Sequence, residues 1–554
     1  MAPPLNGIGL GCMRLSTDPE RDRERGLATI DAAVQAGVQV FDTARAYGLD
    51  EADLGHNERL LRDAGLPDDA VVVTKGGMRR PGGQWRPDGR ARSLRADAEA
   101  SAEALGRPAD LWLLHAPDPR VKFETSVRAM VKILRDGTAK AVGLSNARRE
   151  EIRRARELVP LAAVEVELSI YQDTSLRGGV LSLCREHGIP VLAHRPLGGP
   201  KGVTRTDKDR ALTELAAGLD RSANTMMLDW WSTRVIPLAG ASRPETARHL
   251  GARALPATVH AQLDARFDNV MFAERPVPPS RLEGDVVVLM GIPGAGKSTR
   301  AAAWTDRGYL RLNRDVRGGT LRQITKALDE ALGGGAREVV LDNTYLSRAS
   351  RADVIRVAWR HGVAVRCVHV DTPPDVARAR VCGRLLELGD LPSPEALKKS
   401  RVPGVFPPSR HHRMVGELEP PERDEGFSSL EVVEHLVAPP HPPRAHVVAE
   451  SSHVAKVAGQ PTMCLAVLEG PPSDALTERC AAAGVTLHVC SHRSGAPRCW
   501  CRPPLPGLIL TWLEDIDVPP EALVLHGGGP TFERMARGLG ARWQPTVGQD
   551  EGAR

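Results

Sequence analysis

Four side chains among the first 115 residues have the types needed to place a proton on a carbonyl oxygen: Asp42, Tyr47, Lys75 and His115. A lysine in apolar surroundings stabilises a nearby phenolate, which lowers the tyrosine's pKa and makes its hydroxyl a proton donor. Asp42 can pair with the lysine and hold it, and His115 can orient the oxygen of a carbonyl that accepts hydride. The chain has only four tyrosines, so one in this company is informative. A second set reads GIPGAGKS from Gly291 through Lys297 and Ser298, followed by Thr299. Gly291, Gly294 and Gly296 let backbone N–H groups wrap phosphates, Lys297 can reach the β- and γ-phosphates of ATP, and the Ser298 hydroxyl can ligate Mg²⁺. Carboxylates follow in LNRD (Asp315) and VVLDNT (Asp342). Asp315 could take a proton from an attacking hydroxyl, and either residue could equally cap a structural end. The third set is Cys490-x-His492 with Cys499-x-Cys501. Four such ligands suit tetrahedral Zn²⁺ and leave no position for a catalytic water.

These groups need elements to position them. Asp42 follows VQVF, Lys75 follows VVVT and His115 follows LWLL, each at the end of an apolar run. Strands are predicted at 38–41, 71–74, 111–115, 141–144, 163–167, 191–193 and 235–237, with helices such as 21–36 and 147–158 between them. Repeated βα units over about 275 residues suit a (β/α)8 TIM barrel, whose chemistry sits at the C-terminal strand ends. The glycine loop follows the apolar run DVVVLM and enters TRAAAWT, the strand–loop–helix setting that a phosphate-binding loop requires. Proline-dense stretches at 275–280 and 438–444 read as spacers and leave blocks 1–275, 284–437 and 445–546. The predicted class is α/β throughout: a barrel, a P-loop kinase domain and a small third domain.

The ordered runs FDTARAYG, LGHNERLL, VVVTKGG, LWLLHAPDP, VGLSN and VIPLAGASRPE resemble the aldo-keto reductases over essentially all of the first block. The resemblance implies Asp42, Tyr47, Lys75 and His115 as a catalytic tetrad and Ser145 and Asn146 on the nicotinamide carboxamide. It also implies Ser242, Arg243 and Arg248 near a 2′-phosphate, hence NADPH, and a small carbonyl substrate. Glu165 departs from the pattern where the family usually has Gln, and His194 where a tyrosine commonly stacks on nicotinamide. The runs GIPGAGKST, LNRDVRGGTLRQ, VVLDNTYLSRASR, ARVCGR and PPERDEGF resemble the kinase module of polynucleotide 5′-kinases over most of 285–430. This implies ATP and Mg²⁺, with Asp315 as general base for a 5′-hydroxyl of RNA or DNA. Asp342 would help bind the acceptor end, Arg322 would contact phosphate, and Arg384, ahead of Arg380, would be the lid arginine. CSHRSGAPRCWCRPPLPG is similar to the zinc loop of histidinol-phosphate and heptose-bisphosphate phosphatases, in the haloacid dehalogenase superfamily. No DxDGT motif occurs in 445–490, Pro503 replaces a lysine, and Gly528 and Phe532 replace two metal-binding aspartates. An inactive phosphatase-like domain with a structural zinc is therefore predicted.

Composition sets the outer limits. Basic residues number 74 against 69 acidic, a net charge of +5 that is too even to argue nucleic-acid binding by itself. Hydrophobic content of 42% with 26% charge fits a soluble globular chain rather than a disordered or fibrous one. Nine thinly spread cysteines are no disulfide framework and favour a reducing cytoplasm. Neither a secretory signal nor a run of roughly 18 apolar residues is present, so no membrane is expected. Two alternatives stay open: a small-molecule kinase in the second block, and a barrel that binds NADP(H) as a redox sensor. A polynucleotide kinase needs a basic groove with salt-sensitive binding, for which Arg348, Arg351, Arg401, Arg410 and Arg413 are candidates.

Overall fold

The computed structural model describes residues 3–267, 278–389, 391–434, 444–449, 461–467, 472–490, 499–501 and 503–545. The chain forms two compact units, Met1–Pro276 and Val277–Arg554. Residues 275–277 and 438–443 of the expected spacers lie outside the described residues. Among the described residues no helix is long and apolar enough to cross a membrane.

In the first unit eight parallel strands close into a barrel in sequence order. They are Gly9–Gly11, Val40–Asp42, Val71–Gly76, Leu111–Leu114, Val142–Ser145, Val164–Glu167, Val191–His194 and Ile236–Ala239. Helices cover the outer faces, so strands are buried on both sides and read as unbroken apolar runs. Period-two alternation then divides each strand. Val40, Val71, Val73, Leu111, Leu113, Ala163 and Leu192 form one inner cluster, while Phe41, Val72, Trp112 and Leu114 join clusters against the helices. The inner register runs on to Asp42, Lys75, His115, Glu165 and His194 at the C-terminal strand ends. Seven of the strands were expected, within about two residues. The eighth, Gly9–Gly11, carries no β-branched signal because a Cβ at Gly9 would lie 2.7 Å from Leu238 and 3.2 Å from the Val40 carbonyl oxygen.

The second unit contains two all-parallel sheets, so both later blocks fall within one compact unit. The first sheet has strands Asp285–Met290, Leu310–Leu312, Glu338–Asp342, Ala364–Asp371 and Ser429–Glu434, in spatial order second, third, first, fourth, fifth. The order reverses beside the first strand, which opens a crevice at its C-terminal end where the glycine loop begins. The second sheet has strands Ala445–Ala449, Thr462–Val467, Thr486–Cys490, Leu523–His526 and Arg542–Gln544, in order third, second, first, fourth, fifth. The two sheets meet through helix Pro374–Leu386: Ala379 packs with the second sheet, and Val381, Cys382 and Leu385 pack with Trp500 and Leu505.

Two arginines expected at a nucleic-acid groove turn inward instead. Arg351 is fully buried and donates to both Glu425 carboxylate oxygens at 2.7 and 2.8 Å and to the Tyr345 and Glu419 carbonyls at 3.1 and 3.0 Å. Arg348 pairs with Glu422 and Asp424 at 2.9 Å. The acidic run PPERDEGF neutralises them, which sequence spacing of about 70 residues conceals. Arg413 pairs with Glu417 at 3.6 Å on its own helix. Arg351→Ala strands a buried carboxylate, a change that costs about 3–5 kcal/mol. Thermal unfolding of the full chain is expected to show the transition of the second unit lowered and that of the barrel unmoved; two unmoved transitions contradict this role.

Candidate functional site

The inner barrel register brings the four expected residues together around one ammonium. Lys75 is fully buried and ion-paired to Asp42. Its Nζ donates to Tyr47 Oη and to the Thr43 carbonyl, both at 3.1 Å, and lies 3.2 Å from Glu165 Oε2. Burial alone would lower its pKa, but Asp42, Glu165 and Tyr47 hold it well above the ordinary lysine range. The tyrosine differs from the expectation. Burial outweighs the nearby ammonium, Asp42 and Glu165 add to it, and the Tyr47 pKa is raised rather than lowered. His115 sits edge-on to Tyr47 with ring centroids 5.8 Å apart, and Trp85 covers both at 6.3 and 6.0 Å. Burial, then Lys75 and His194, push the His115 pKa well below the usual histidine range, so its ring is neutral. Its Nδ1 is buried without a hydrogen-bond partner.

Ser145 and Asn146 end the fifth strand beside this group. Asn146 adopts a left-handed φ of 55°, and its Nδ2 donates to the His115 carbonyl at 3.0 Å and to Ser145 Oγ at 3.1 Å. His194 Nε2 donates to Asn146 Oδ1 at 3.0 Å, so the residue that departs from the family pattern completes the same polar cluster. Burial, then Lys75 and Arg195, lower His194 to about 4. Ser242 is half-buried after the last strand, and Arg243 and Arg248 are exposed at the two ends of the short helix Pro244–Ala247.

In the second unit the glycine loop has the backbone its sequence demands. Gly291, Gly294 and Gly296 have φ of 147°, 86° and 98°, and a Cβ on Gly294 would lie 2.1 Å from the Ala377 carbonyl oxygen. Residues from Pro293 to Arg300, including Ser298 and Thr299, line a cavity of about 1230 Å³. Lys297 Nζ donates to the Gly291 and Ile292 carbonyls at 3.0 and 2.9 Å. Burial, partly opposed by Asp342, brings its pKa down to about 8. Asp315 is exposed on the short helix Arg314–Arg317 and faces the same cavity. Arg380 and Arg384, four residues apart on helix Pro374–Leu386, also line it, as do Arg401 and Arg410. Arg322 does not. It is exposed on helix Leu321–Gly333 and stands outside the cavity wall, because the helix turns its apolar positions inward.

The structure adds residues that the sequence did not single out. Asn313 Nδ2 donates to the Asp342 carbonyl at 2.8 Å and to its Oδ2 at 2.9 Å, while its own Oδ1 caps the next helix by accepting from Val316 N. Asn343 Oδ1 accepts from Arg314 N at 2.8 Å, and its Nδ2 donates to the Leu312 carbonyl at 3.1 Å. The asparagines of NRD and DNT therefore tie the two strand ends together; the repeated Asn beside each Asp was the available signal. Asp342 is also ion-paired to Arg311, and its Oδ1 is buried without a hydrogen-bond partner. Thr372 and Arg380 donate to the Ala295 carbonyl of the loop.

Cys490, Cys499 and Cys501 are buried with all three sulfurs within 4.8 Å of one another, and Cys490 Sγ lies 3.8 and 3.5 Å from the other two. His492 lies outside the described residues. Trp500, between two of the cysteines, donates from Nε1 to the Phe406 carbonyl at 3.0 Å. Its ring meets those of Phe406 and His411, and His411 Nε2 donates to the Pro293 carbonyl of the glycine loop at 3.0 Å. The cysteine cluster is thus linked through Trp500 to Phe406 in the wall of the glycine-loop cavity.

Residues 7–265 match the aldo/keto reductase family, and residues 286–396 match a family described as an AAA domain. An uncharacterised oxidoreductase of Schizosaccharomyces pombe is 28% identical over 274 residues, covering 47% of this chain and 86% of that protein. A Glycine max protein described as a probable aldo-keto reductase is 32% identical over 209 residues, covering 36% of this chain and 59% of its own length. A solved glycerol dehydrogenase from Gluconobacter oxydans is 23% identical, with a TM-score of 0.42 over 51% of this chain and 97% of that one. The first unit therefore carries an aldo/keto reductase domain, and the second opens on a P-loop domain.

The asparagine clamp is open to a direct check. Asn313→Ala removes a helix cap and two hydrogen bonds to Asp342, each typically worth about 1 kcal/mol. Hydrogen exchange over residues 313–318 is expected to accelerate by about tenfold or more, with the glycine loop unchanged. Unaltered exchange there contradicts the clamp.

Proposed function

We propose that the chain is a two-activity enzyme that phosphorylates 5′-hydroxyl ends of a polynucleotide with ATP and reduces a small carbonyl substrate with NADPH. The observation that best supports the first activity is the meeting of Lys297, Asp315 and two lid arginines in one cavity. At about 1230 Å³ it exceeds the ~300–1,000 Å³ of common ligand pockets, leaving room for an acceptor end beside ATP. Its wall carries seven basic residues (Lys297, Arg300, Arg314, Arg380, Arg384, Arg401, Arg410) against four acidic ones, Asp315, Asp342, Glu387 and Glu434. That surplus suits the phosphates of bound ATP and tolerates an anionic acceptor beside them.

Asp315 takes the proton of the attacking hydroxyl, while Lys297, Arg380 and Arg384 neutralise charge on the group in transfer. Ser298 would hold Mg²⁺, which would offset the negative charge of the phosphates. Asp342, held by Asn313 and Arg311, helps to receive the acceptor end. In the barrel, Tyr47 gives its proton to the carbonyl oxygen and neutral His115 orients that oxygen. Ser145 and Asn146 would hold the nicotinamide carboxamide, and Ser242, Arg243 and Arg248 the 2′-phosphate; bound NADPH supplies the hydride. The buried thiols of Cys490, Cys499 and Cys501, with His492, suit a structural Zn²⁺ in a phosphatase-like domain without phosphatase chemistry.

The kinase reading predicts transfer of labelled γ-phosphate from ATP to short RNA or DNA with a free 5′-hydroxyl, increasingly inhibited by salt. Asp315→Ala and Lys297→Ala are each expected to lower the rate by about 10²-fold or more. Labelling of a metabolite but of neither nucleic acid would replace this reading with a small-molecule kinase. In the barrel, Tyr47→Phe is expected to lower NADPH-dependent carbonyl reduction by about 10²-fold while cofactor affinity is retained. Tight NADPH binding by the native chain with no turnover on a broad carbonyl panel would make the barrel a sensor instead.

A further inference from the structure

Two inward acids on separate barrel strands, Asp42 and Glu165, converge on the Lys75 ammonium. Asp42, Lys75 and Glu165 are 3%, 0% and 2% exposed, so water screens none of them. Glu165 Oε2 lies 3.2 Å from Lys75 Nζ, and its carboxyl also shares a hydrogen bond with Asp42. Its register neighbours on the flanking strands, Ser145 and Leu192, carry no charge. The groups facing it are Asp42 from the second strand, Lys75 from the third and the Tyr47 phenol from the loop beyond Asp42. His115 and His194, which face Lys75 from their own strand ends, are neutral.

One ammonium cannot compensate two buried carboxylates. Two acids sharing a dry site titrate as a pair, and one of them keeps its proton far above the ordinary carboxylate range. Burial raises the Asp42 pKa as well, but Asp42 makes the closer ion pair with Lys75 and accepts the Glu165 hydrogen bond, so it ionises first and the shared proton stays on Glu165. Burial, then the Asp42 carboxylate, raises Glu165 to about 8. A glutamine in its place could donate a hydrogen bond but would have no proton to give up.

We propose that Glu165 is the internal proton store of the barrel site, recharging Tyr47 through Lys75; this rests on the carbonyl-reduction reading above. Once the carbonyl carbon has received the hydride that NADPH supplies, its oxygen takes the proton of Tyr47 and a phenolate remains. An N–H bond of Lys75 breaks, and its proton crosses the 3.1 Å hydrogen bond to the phenolate oxygen. The O–H bond of Glu165 then breaks, and its proton moves to the Lys75 amine across 3.2 Å. Glu165 is left as a carboxylate, and the site is neutralised when solvent returns one proton to it after product leaves.

Glu165→Gln in the full chain tests both parts. The folded native protein holds a proton that the unfolded chain releases above the ordinary glutamate range, so the contribution of Glu165 to native stability falls as pH rises from about 4.5 to about 8 and then levels. The variant lacks that loss, and its unfolding midpoint is expected to gain on the native one across that window only. In turnover, native kcat is expected to fall above pH about 8 with KM for the carbonyl unchanged. Variant kcat is expected to be lower by about tenfold at pH 7, short of the ~10²–10⁴ of a group that protonates substrate directly, and to lose that limb. Parallel stability curves, or identical kcat profiles, overturn the proposal. Should the variant not fold, the infrared band of a protonated carboxyl in a Glu58→Gln chain decides, since burial also raises Glu58, to about 7: it is expected at pH 6 and absent at pH 9, and its absence at both overturns the store. A native chain that reduces no carbonyl at any pH defeats the reductase reading and the relay together, while the stability curves still report whether Glu165 holds a proton.

Discussion

A buried ammonium survives only where oxygen atoms replace its water, and each unit of this chain is organised around one such lysine. The two solve the problem in opposite ways. Lys75 is met by the Asp42 carboxylate on the adjacent strand and by the Glu165 carboxyl from a strand farther round the barrel, so it stays charged well beyond the ordinary lysine range. Lys297 is met by carbonyl dipoles of its own loop, with Asp342 and Asp315 contributing only at a distance, and its pKa drops to about 8. The difference suits the partners each would serve. Lys75 needs no ligand to complete its charge balance, whereas Lys297 is under-compensated and therefore primed for phosphate.

What positions these lysines was largely written in the alternation of the strands. Once VVVT and LWLL are buried on both faces, the parity of Val71 and Val73 sends Lys75 inward, and that of Leu111 and Leu113 does the same for His115. The glycine loop was equally legible, since only glycine tolerates φ of 86° at a point where a Cβ would strike the Ala377 carbonyl. Features set by long-range partners were not. Arg351 looks like a surface arginine until Glu425, 74 residues away, is placed against it. Arg322 sits in a promising motif but on the exposed side of its helix. The direction of the Tyr47 shift depended on how completely the barrel mouth is buried, a quantity that no spacing encodes.

The last sheet reaches the glycine-loop cavity by packing rather than by chemistry. Gly528 and Phe532 occupy positions where its resemblance implied metal-binding carboxylates, and Phe532 is buried in the hydrophobic core of this sheet. Its conspicuous polar feature is instead the buried thiol cluster, and the residue threaded through that cluster is Trp500. From there contact passes through Phe406 and His411 to the Pro293 carbonyl, which belongs to the phosphate-binding loop itself. The same indole packs with Val381, Cys382 and Leu385 on the helix that carries Arg380 and Arg384. A rigid, bulky side chain buried between two cysteines thus supports both the floor of the cavity and the helix that overhangs it. That placement gives a domain without catalytic carboxylates a way to matter at the glycine-loop cavity: the positions of Arg380 and Arg384 depend on their helix being held, and its backing layer belongs to the neighbouring sheet.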